Sequence, residues 1–458
     1  MHKLIVLSII ILSVLLSIRA TTGDPKKKHI EASIQREGNA KAGYNYLVNG
    51  DYVSSGIPSD FFSINADSTS VHLGRDVKNH KLPPEFTHII RDSVEMIAPN
   101  CLSCHGDYLN GEYIIGLGNS SFNYTYDLSP ANTFLNMGIM NSYGIASKEW
   151  ELYETFSKAS QAISSEIVTE TRGVNPADKL TAVLVAHRDP VTLEWRDEPA
   201  LDIPDVTIPT DVPPWWVLKK KNAMFYTAIG RGDFSKFLMA SSILTMSDTS
   251  EARMIDDKFP DVLAWIKTLE PPKYPEAINE DLASRGEIIF TNNCSGCHGT
   301  YGDDGKYPNF LVSLETVGTD PALSNAYTEG TYQPFIDWYS ESWFSQTDNP
   351  GKLVIEEGYV AQPLDGIWAS APYLHNGSVP TVEALLNSKI RPQYWRRSFD
   401  SHDYNYDALG WNVEKLESKE DNEIYDTTID GYRNMGHRFG DKLSHEERLA
   451  VIEYLKTL

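Results

Sequence analysis

Apolar positions recur at three- and four-residue steps in several stretches of the chain, and each run predicts a helix. Between Pro84 and Ala98, Phe86, Ile89, Ile90, Val94 and Ile97 follow this spacing after a Pro-Pro stop, so a helix is expected there, with His88 on its surface. Residues 150–168 read as a second helix. A third starts at Asn175, a favourable N-cap, with Pro176 in its first turn, and runs through Leu180, Val183 and Leu184 to His187. Helical patterns follow at 233–246, 260–269 and 277–290. The last helix opens on Ser444 with Glu447 three residues on, a capping box, and continues through Leu449, Ile452 and Leu455. Elsewhere the periodicity fails. Residues 21–80 carry Lys26, Lys27 and Lys28 and are otherwise rich in Gly, Asn, Tyr and Ser, which predicts an extended arm and loops. Residues 106–150 read as loop-dominated for the same reason. Pro190, Pro199, Pro204, Pro209, Pro213 and Pro214 make 189–214 rigid and irregular, ending at Trp215-Trp216.

Two five-residue motifs punctuate this pattern: Cys101-Leu102-Ser103-Cys104-His105 and Cys294-Ser295-Gly296-Cys297-His298. Each reads C-x-x-C-H, the attachment signature of a c-type haem. Two thiols on one turn form thioethers to the haem edge, and the histidine that follows ligates the iron from one face. Redox or zinc C-x-x-C sites do not account for a following histidine in both copies. All four cysteines lie in these motifs, so no disulfide is expected.

The motifs belong to a longer repeat. Val262-Leu263-Ala264-Trp265-Ile266-Lys267-Thr268-Leu269 resembles Val451-Ile452-Glu453-Tyr454-Leu455-Lys456-Thr457-Leu458, and each closes a stretch that begins with a C-x-x-C-H. Pro271-Pro272-Lys273-Tyr274-Pro275 separates the two stretches. The expected fold is mainly α: two tandem cytochrome c-type domains with long loops around covalently bound haems. The expected boundaries are an arm at 21–80, a first domain at 81–270, a linker at 271–276 and a second domain at 277–458.

Residues 1–20 read as a secretory signal, with Lys3, an apolar run from Leu4 to Ile18, then Arg19-Ala20. Haem c is attached outside the bacterial cytoplasmic membrane, so periplasmic or secreted localisation is expected. No later stretch reaches membrane-spanning length, so no span is expected in the mature chain. The net charge of −23 argues against nucleic acid or an anionic membrane surface and suits a basic redox partner or a neutral substrate.

Trp368-Ala369-Ser370-Ala371-Pro372-Tyr373-Leu374-His375-Asn376-Gly377, continuing through Ser378-Val379-Pro380-Thr381-Val382-Glu383-Ala384-Leu385-Leu386, resembles a segment shared by dihaem c-type proteins. That group includes bacterial cytochrome c peroxidase, the MauG-type enzyme and the rubber oxygenases. Arg391-Pro392, Phe399-Asp400, Gly410-Trp411, Gly436-His437-Arg438-Phe439-Gly440 and Pro213-Pro214-Trp215-Trp216-Val217-Leu218-Lys219-Lys220-Lys221-Asn222-Ala223 look most like the rubber-oxygenase branch.

The resemblance implies His437 as sixth ligand of the second haem, opposite His298; local chemistry offers Met435 two residues away. It also implies an accessible iron at His105. Met137, Met140, Met224, Met239 and Met246 are sixth-ligand candidates there by type alone. His187 is a candidate distal acid–base group, or part of a structural turn with Arg188-Asp189-Pro190. His375 is a candidate contact at a haem edge, or a packed histidine. Trp215 and Trp216 are candidates for electron relay between haems, or covers of haem edges. Calcium at a domain interface is implied by the peroxidase branch, with no ligands assigned. The acidic run Glu417 to Glu423 reads as a solvated loop.

The expected function is an exported dihaem c-type oxidoreductase activating dioxygen or peroxide at the first haem. The second haem would store or transfer electrons. The reductant or substrate would be a redox protein or a small or polymeric organic compound. The alternatives are a cytochrome c peroxidase-like enzyme and a non-catalytic periplasmic electron carrier.

Overall fold

The computed structural model describes residues 26–62 and 73–458, so the expected export signal lies outside the described residues. In chain order the first half contains β1 Lys27–His29, α1 Ala40–Asn49, β2 Ile57–Pro58, β3 Phe86–Arg91, β4 Val94–Pro99, β5 Gly106–Leu109 and β6 Glu112–Ile115. It continues with α2 Ser129–Tyr143, α3 Lys148–Ser164, α4 Ala177–Ala186, β7 Gly230–Gly232 and α5 Phe259–Ile266. The second half is framed by α6 Glu280–Asn293, β8 Phe310–Val312, α7 Gln333–Glu341, β9 Gly351–Leu353, β10 Tyr359–Val360 and α8 His445–Leu455.

Helix makes up 36% of the structure and strand 14%, the strands falling in small sheets of two or three members. The expectation of a mainly α fold with a clear pair of cytochrome domains is therefore corrected. The helix expected at 84–98 is the hairpin of β3 and β4, with Thr87 opposite Ala98 and Arg91 opposite Val94. Its spacing is ambiguous between a helix and a strand, because Thr87 and Ile89 are buried while their neighbours are not. The turn decides: Asp92 and Ser93 take φ of 49° and 70°, the left-handed pair a tight hairpin needs. His88 accordingly sits on a strand, its Nε2 3.0 Å from Glu95 Oε2. Two further corrections concern stretches read as loops. Residues 40–49 form α1, capped by the Asn39 side chain, and the 106–150 region holds a hairpin and the helix α2.

The repeat has a physical basis in two helix crossings. α1 packs on α5, and α6 packs on α8. At the first crossing a Cβ on Gly43 would lie 1.9 Å from the carbonyl oxygen of Asp261, and at the second a Cβ on Gly286 would lie 1.9 Å from that of Ala450. Asp261 and Ala450 each immediately precede the repeated closing sequence. The same backbone approach is thus built twice, and both times only glycine fits. Around the first crossing Leu47, Val48, Phe259, Val262 and Leu263 are at most 1% exposed, each contributing about 1.5–3 kcal/mol by burial. In the first unit the hairpin sheet is inserted between the crossing helix and the C-x-x-C-H. In the second, α6 runs directly into it.

The two halves interlock. β1 pairs antiparallel with β8, and β7 with β9. Trp338, Tyr339, Trp343 and Phe344 of the second half belong to the core built on α1 and α5. Leu109, Leu117, Trp216 and Val217 of the first half belong to the core built on α6 and α8.

Candidate functional site

Each C-x-x-C-H opens onto its own cavity. The first, of about 750 Å³, is lined by Cys101, Cys104 and His105, and the second, of about 420 Å³, by Cys294, Cys297 and His298. None of the four thiols is cross-linked.

The first motif is fixed from both sides. Asn100 caps it: its side chain accepts from the Leu102 N–H (2.8 Å) and donates to Thr87 Oγ1 and the Pro84 carbonyl (both 2.9 Å). The Cys101 N–H donates to the Tyr52 hydroxyl at 3.2 Å, and that hydroxyl donates to the Leu47 carbonyl at 2.9 Å, tying the motif to α1. His105 is partly buried at the cavity wall, and burial pulls its pKa down to about 3, so the ring is neutral; its Nδ1 has no hydrogen-bond partner. The Trp215 ring stacks on it, with centroids 4.5 Å apart and planes 21° apart.

The second motif follows α6 in a single helical turn that ends at Gly299, with φ of 81°. His298 Nδ1 lies 2.8 Å from the Gln362 carbonyl oxygen, which leaves Nε2 for the cavity. Opposite stands His437, ring centroids 6.1 Å apart. An iron with a nitrogen ligand on each face, at about 2 Å per bond, separates two imidazole centroids by about 6 Å. His437 is held in place by backbone. Its own φ is 45°, and its N–H donates to the Val317 carbonyl at 2.7 Å. A Cβ on Gly436 would come within 2.2 Å of the Gly318 and Thr319 backbone, so the loop can approach only there. The Arg391 guanidinium donates to the carbonyls of Asn434 (2.6 Å), Gly436 (2.7 Å) and His437 (3.2 Å), and to those of Ala384 and Leu385 (both 3.0 Å). Burial pulls His437 down to about 3, with His298 and Arg391 adding to the effect.

Two thiols and a following neutral imidazole at each cavity are the donor set for a thioether-linked haem. His105 and His437 each line a cavity with a ring that burial keeps neutral, the form in which an imidazole ligates iron.

The remaining sequence candidates separate. Met435 is 40% exposed and lines neither cavity. Met239 and Met246 are fully buried in the first core, Met137 and Met140 are exposed on α2, and Met224 alone of the five lines the first cavity. His187 lines neither cavity; it caps α4, stacks on Trp195 and places Nδ1 2.9 Å from the Arg196 carbonyl oxygen, surroundings that suit the structural-turn reading. Trp215 lines the first cavity, whereas Trp216 is buried in the second core with Nε1 donating to the Asp365 carbonyl at 2.7 Å. Two acids of the acidic loop form ion pairs, Arg172–Glu423 and Arg396–Asp421, and Glu417 and Glu420 are exposed. Among the described residues no group of three or more His, Cys, Asp or Glu side chains converges that could hold a metal ion. No helix among them is long and apolar enough to cross a membrane.

Asp211 and Tyr226, in the wall between the cavities, escaped sequence reasoning. Asp211, Pro213, Pro214, Val217 and Tyr226 line both cavities. The Tyr226 hydroxyl donates to Asp211 Oδ2 at 2.7 Å, and burial raises Asp211 to about 8. His375 lines the second cavity, stacked on Tyr359 at 4.0 Å and edge-on to Tyr226 at 6.4 Å. Tyr226 and His375 are counterparts. Each is the second residue of a bend closed by an isolated bridge, Met224 to Gly230 in one and Tyr373 to Val379 in the other. Phe225 and Leu374 precede them with φ of 69° and 68°. Residues 224–228 and 373–377 share no identical position, so this second repeat lies in the backbone and left no signal in the sequence.

Residues 358–396, which include His375 and Arg391, match a family described as RoxA-like, cytochrome c-like. Two uncharacterized proteins of Sinorhizobium fredii (strain NBRC 101917 / NGR234) are similar. y4iJ is 28% identical over 42% of this chain and 41% of its own length. y4iM is 25% identical over 52% of this chain and 58% of its own length. The chain thus spans about half the length of the curated relatives it matches. A hydrazine synthase structure from Kuenenia stuttgartiensis aligns with 59% of this chain and 76% of its own at 16% identity and a TM-score of 0.25, too low to carry an argument. The family match, confined to that segment, supports a haem c protein similar to the RoxA-like cytochromes c.

Proposed function

We propose that the protein is an exported dihaem c-type oxidoreductase that activates dioxygen or peroxide at the haem of Cys101, Cys104 and His105. A second haem, on Cys294, Cys297 and His298, transfers or stores electrons. The observation that carries this reading is the asymmetry of the cavities. His437 faces His298 at 6.1 Å. In the first cavity, which is nearly twice as large, no second histidine lies among the lining residues beside His105.

When bound at His105, haem c supplies an iron that can take up an oxygen species. The chain's own residues do the rest. Trp215 fixes the plane of the His105 ring. Arg391 and the Gly436 approach hold His437 toward His298, so both imidazoles would be available to hold the second haem, which would supply electron transfer. Apolar side chains of both halves, including Leu184, Phe335 and Phe344, line the first cavity and suit the apolar face of a haem. The localisation is periplasmic or secreted, and the reductant or substrate is a redox protein or an organic compound.

A specific observation keeps the electron-carrier reading alive: Met224 lines the first cavity and is a haem ligand by type. Haem stoichiometry and turnover test the proposal together. Two haems per chain are expected, one lost in Cys101→Ala/Cys104→Ala and the other in Cys294→Ala/Cys297→Ala. Consumption of dioxygen with an organic substrate supports the oxygenase form, and consumption of peroxide with a reduced cytochrome supports the peroxidase form. Two haems with neither activity favour the carrier.

A further inference from the structure

Four lysines are buried among the described residues: Lys179, Lys221, Lys236 and Lys456. Three of them have an acid partner. Lys179 meets Glu166 at 3.1 Å, Lys236 meets Asp256 at 2.7 Å and Lys456 meets Glu453 at 2.8 Å. Lys221, 8% exposed, has none. Its two neighbours on the same turn are also satisfied, Lys219 by Glu270 at 2.6 Å and Lys220 by Asp365 at 2.7 Å. The third lysine of the run turns inward and lines the first cavity with Cys101, Cys104 and His105.

The acids on that cavity wall are engaged elsewhere. Asp178 takes the hydroxyl of Tyr327, Asp211 takes that of Tyr226, and Glu85 lies within the influence of Arg75 and Tyr113. The other cavity-lining lysine, Lys236, is held by Asp256. Burial acts alone on the Lys221 amine and pulls it down to about 7. A buried cation without a counter-charge is strongly unfavourable, and a leucine or methionine would fill the same space without that cost. The position makes sense if an anion enters the cavity.

We propose that Lys221 is the counter-charge for a carboxylate carried into the first cavity, and that this carboxylate is a propionate of the haem linked at Cys101 and Cys104. The inference rests on the reading of that cavity as a haem site and deepens it. Lys221 holds the propionate ionised and fixes how the macrocycle lies in its pocket. The second cavity carries only Lys27 in its lining, so its haem would be held differently.

The test uses the holo-protein, Lys221→Met and Lys221→Arg. Haem mass on the peptide containing Cys101 and Cys104 is measured first; its absence in the unaltered protein removes the underlying reading and this inference with it. The readout is then the pH dependence of the midpoint potential of that haem. In Lys221→Met, with haem retained, the inflection from propionate ionisation is expected to move up by about one pH unit or more. Lys221→Arg is expected to leave it in place. An unmoved inflection in Lys221→Met with full haem content overturns the proposal. So does a change of the ferric haem from low to high spin in Lys221→Met, which would make the amine an iron ligand. An acetate-induced spectral change present in the unaltered protein and lost in Lys221→Met also overturns it, because the carboxylate would then come from solution.

Discussion

His298 and His437 face each other across the second cavity, centroids 6.1 Å apart and ring planes inclined by 61°. One comes from the turn behind α6 and the other from a loop almost at the end of the chain. The pairing therefore depends on the tertiary structure of the whole second half. Replacing His437 with Ala removes one partner and leaves the C-x-x-C-H intact. The expected outcome is unchanged haem content with a new carbon monoxide binding site on the reduced protein. No new site would mean that another group closes this iron.

Arg391 supports that pairing at a distance. It donates to five main-chain carbonyls, three of them in the segment Asn434 to His437. Arg391→Lys keeps the charge but not the fork, so most of these carbonyls lose their donor. A loss of about 3 kcal/mol or more is expected, read as a lower denaturant midpoint. A fraction of the second haem is also expected to turn high-spin. Full stability with unaltered spin state would show that Gly436 alone positions the loop.

Gly43 and Gly286 decide the two helix crossings. In a helix, alanine is favoured over glycine by about 1 kcal/mol. Overpacking costs about 1–3 kcal/mol and sometimes more. The 1.9 Å separation at each site makes overpacking the larger effect. Gly43→Ala and Gly286→Ala are each expected to lower thermal stability, whereas a neutral or stabilising outcome would contradict the close approach.

The pH profile of stability follows from two buried groups beside the shared wall. Asp211 is raised to about 8 by burial, against the influence of Tyr226 and Arg397, while an unfolded aspartate titrates near 4. Between about pH 4 and 8 the folded chain holds a proton that the unfolded chain releases, so stability falls as pH rises through this window. His375 is lowered to about 3, against about 6.5 unfolded. The unfolded chain takes up that proton first, so stability falls as pH drops from about 6.5 toward 3. Asp211→Asn is expected to flatten the alkaline limb and His375→Gln the acid limb, in denaturant titrations at several pH values. A variant whose profile parallels the unaltered protein would remove its group from the account.

Much of the site was legible in the sequence. Both C-x-x-C-H motifs are local, the capping box at Ser444 forms as expected, and the helices expected at 150–168, 175–187, 260–269 and 277–290 are present within a few residues. The misses have physical causes. The run from Phe86 to Ile97 satisfies two periodicities, and only the Asp92-Ser93 turn separates them. Residues 40–49 carry Gly and Asn, which read as loop; Gly43 is there for a helix crossing that no local pattern encodes. Lys221 looks the same as Lys219 and Lys220 in sequence and differs only in which way it faces. The contribution of Tyr327, Phe335 and Phe344 to the first cavity is long-range and left no trace in the periodicity.

The proposed division of labour sets an accessible iron at His105 beside a closed one between His298 and His437. Carbon monoxide titration of the fully reduced protein, followed by haem absorbance, tests it most directly. One carbon monoxide is expected for every two haems, lost when Cys101 and Cys104 are replaced. Binding at neither haem would show both irons firmly six-coordinate and would contradict an active site at His105.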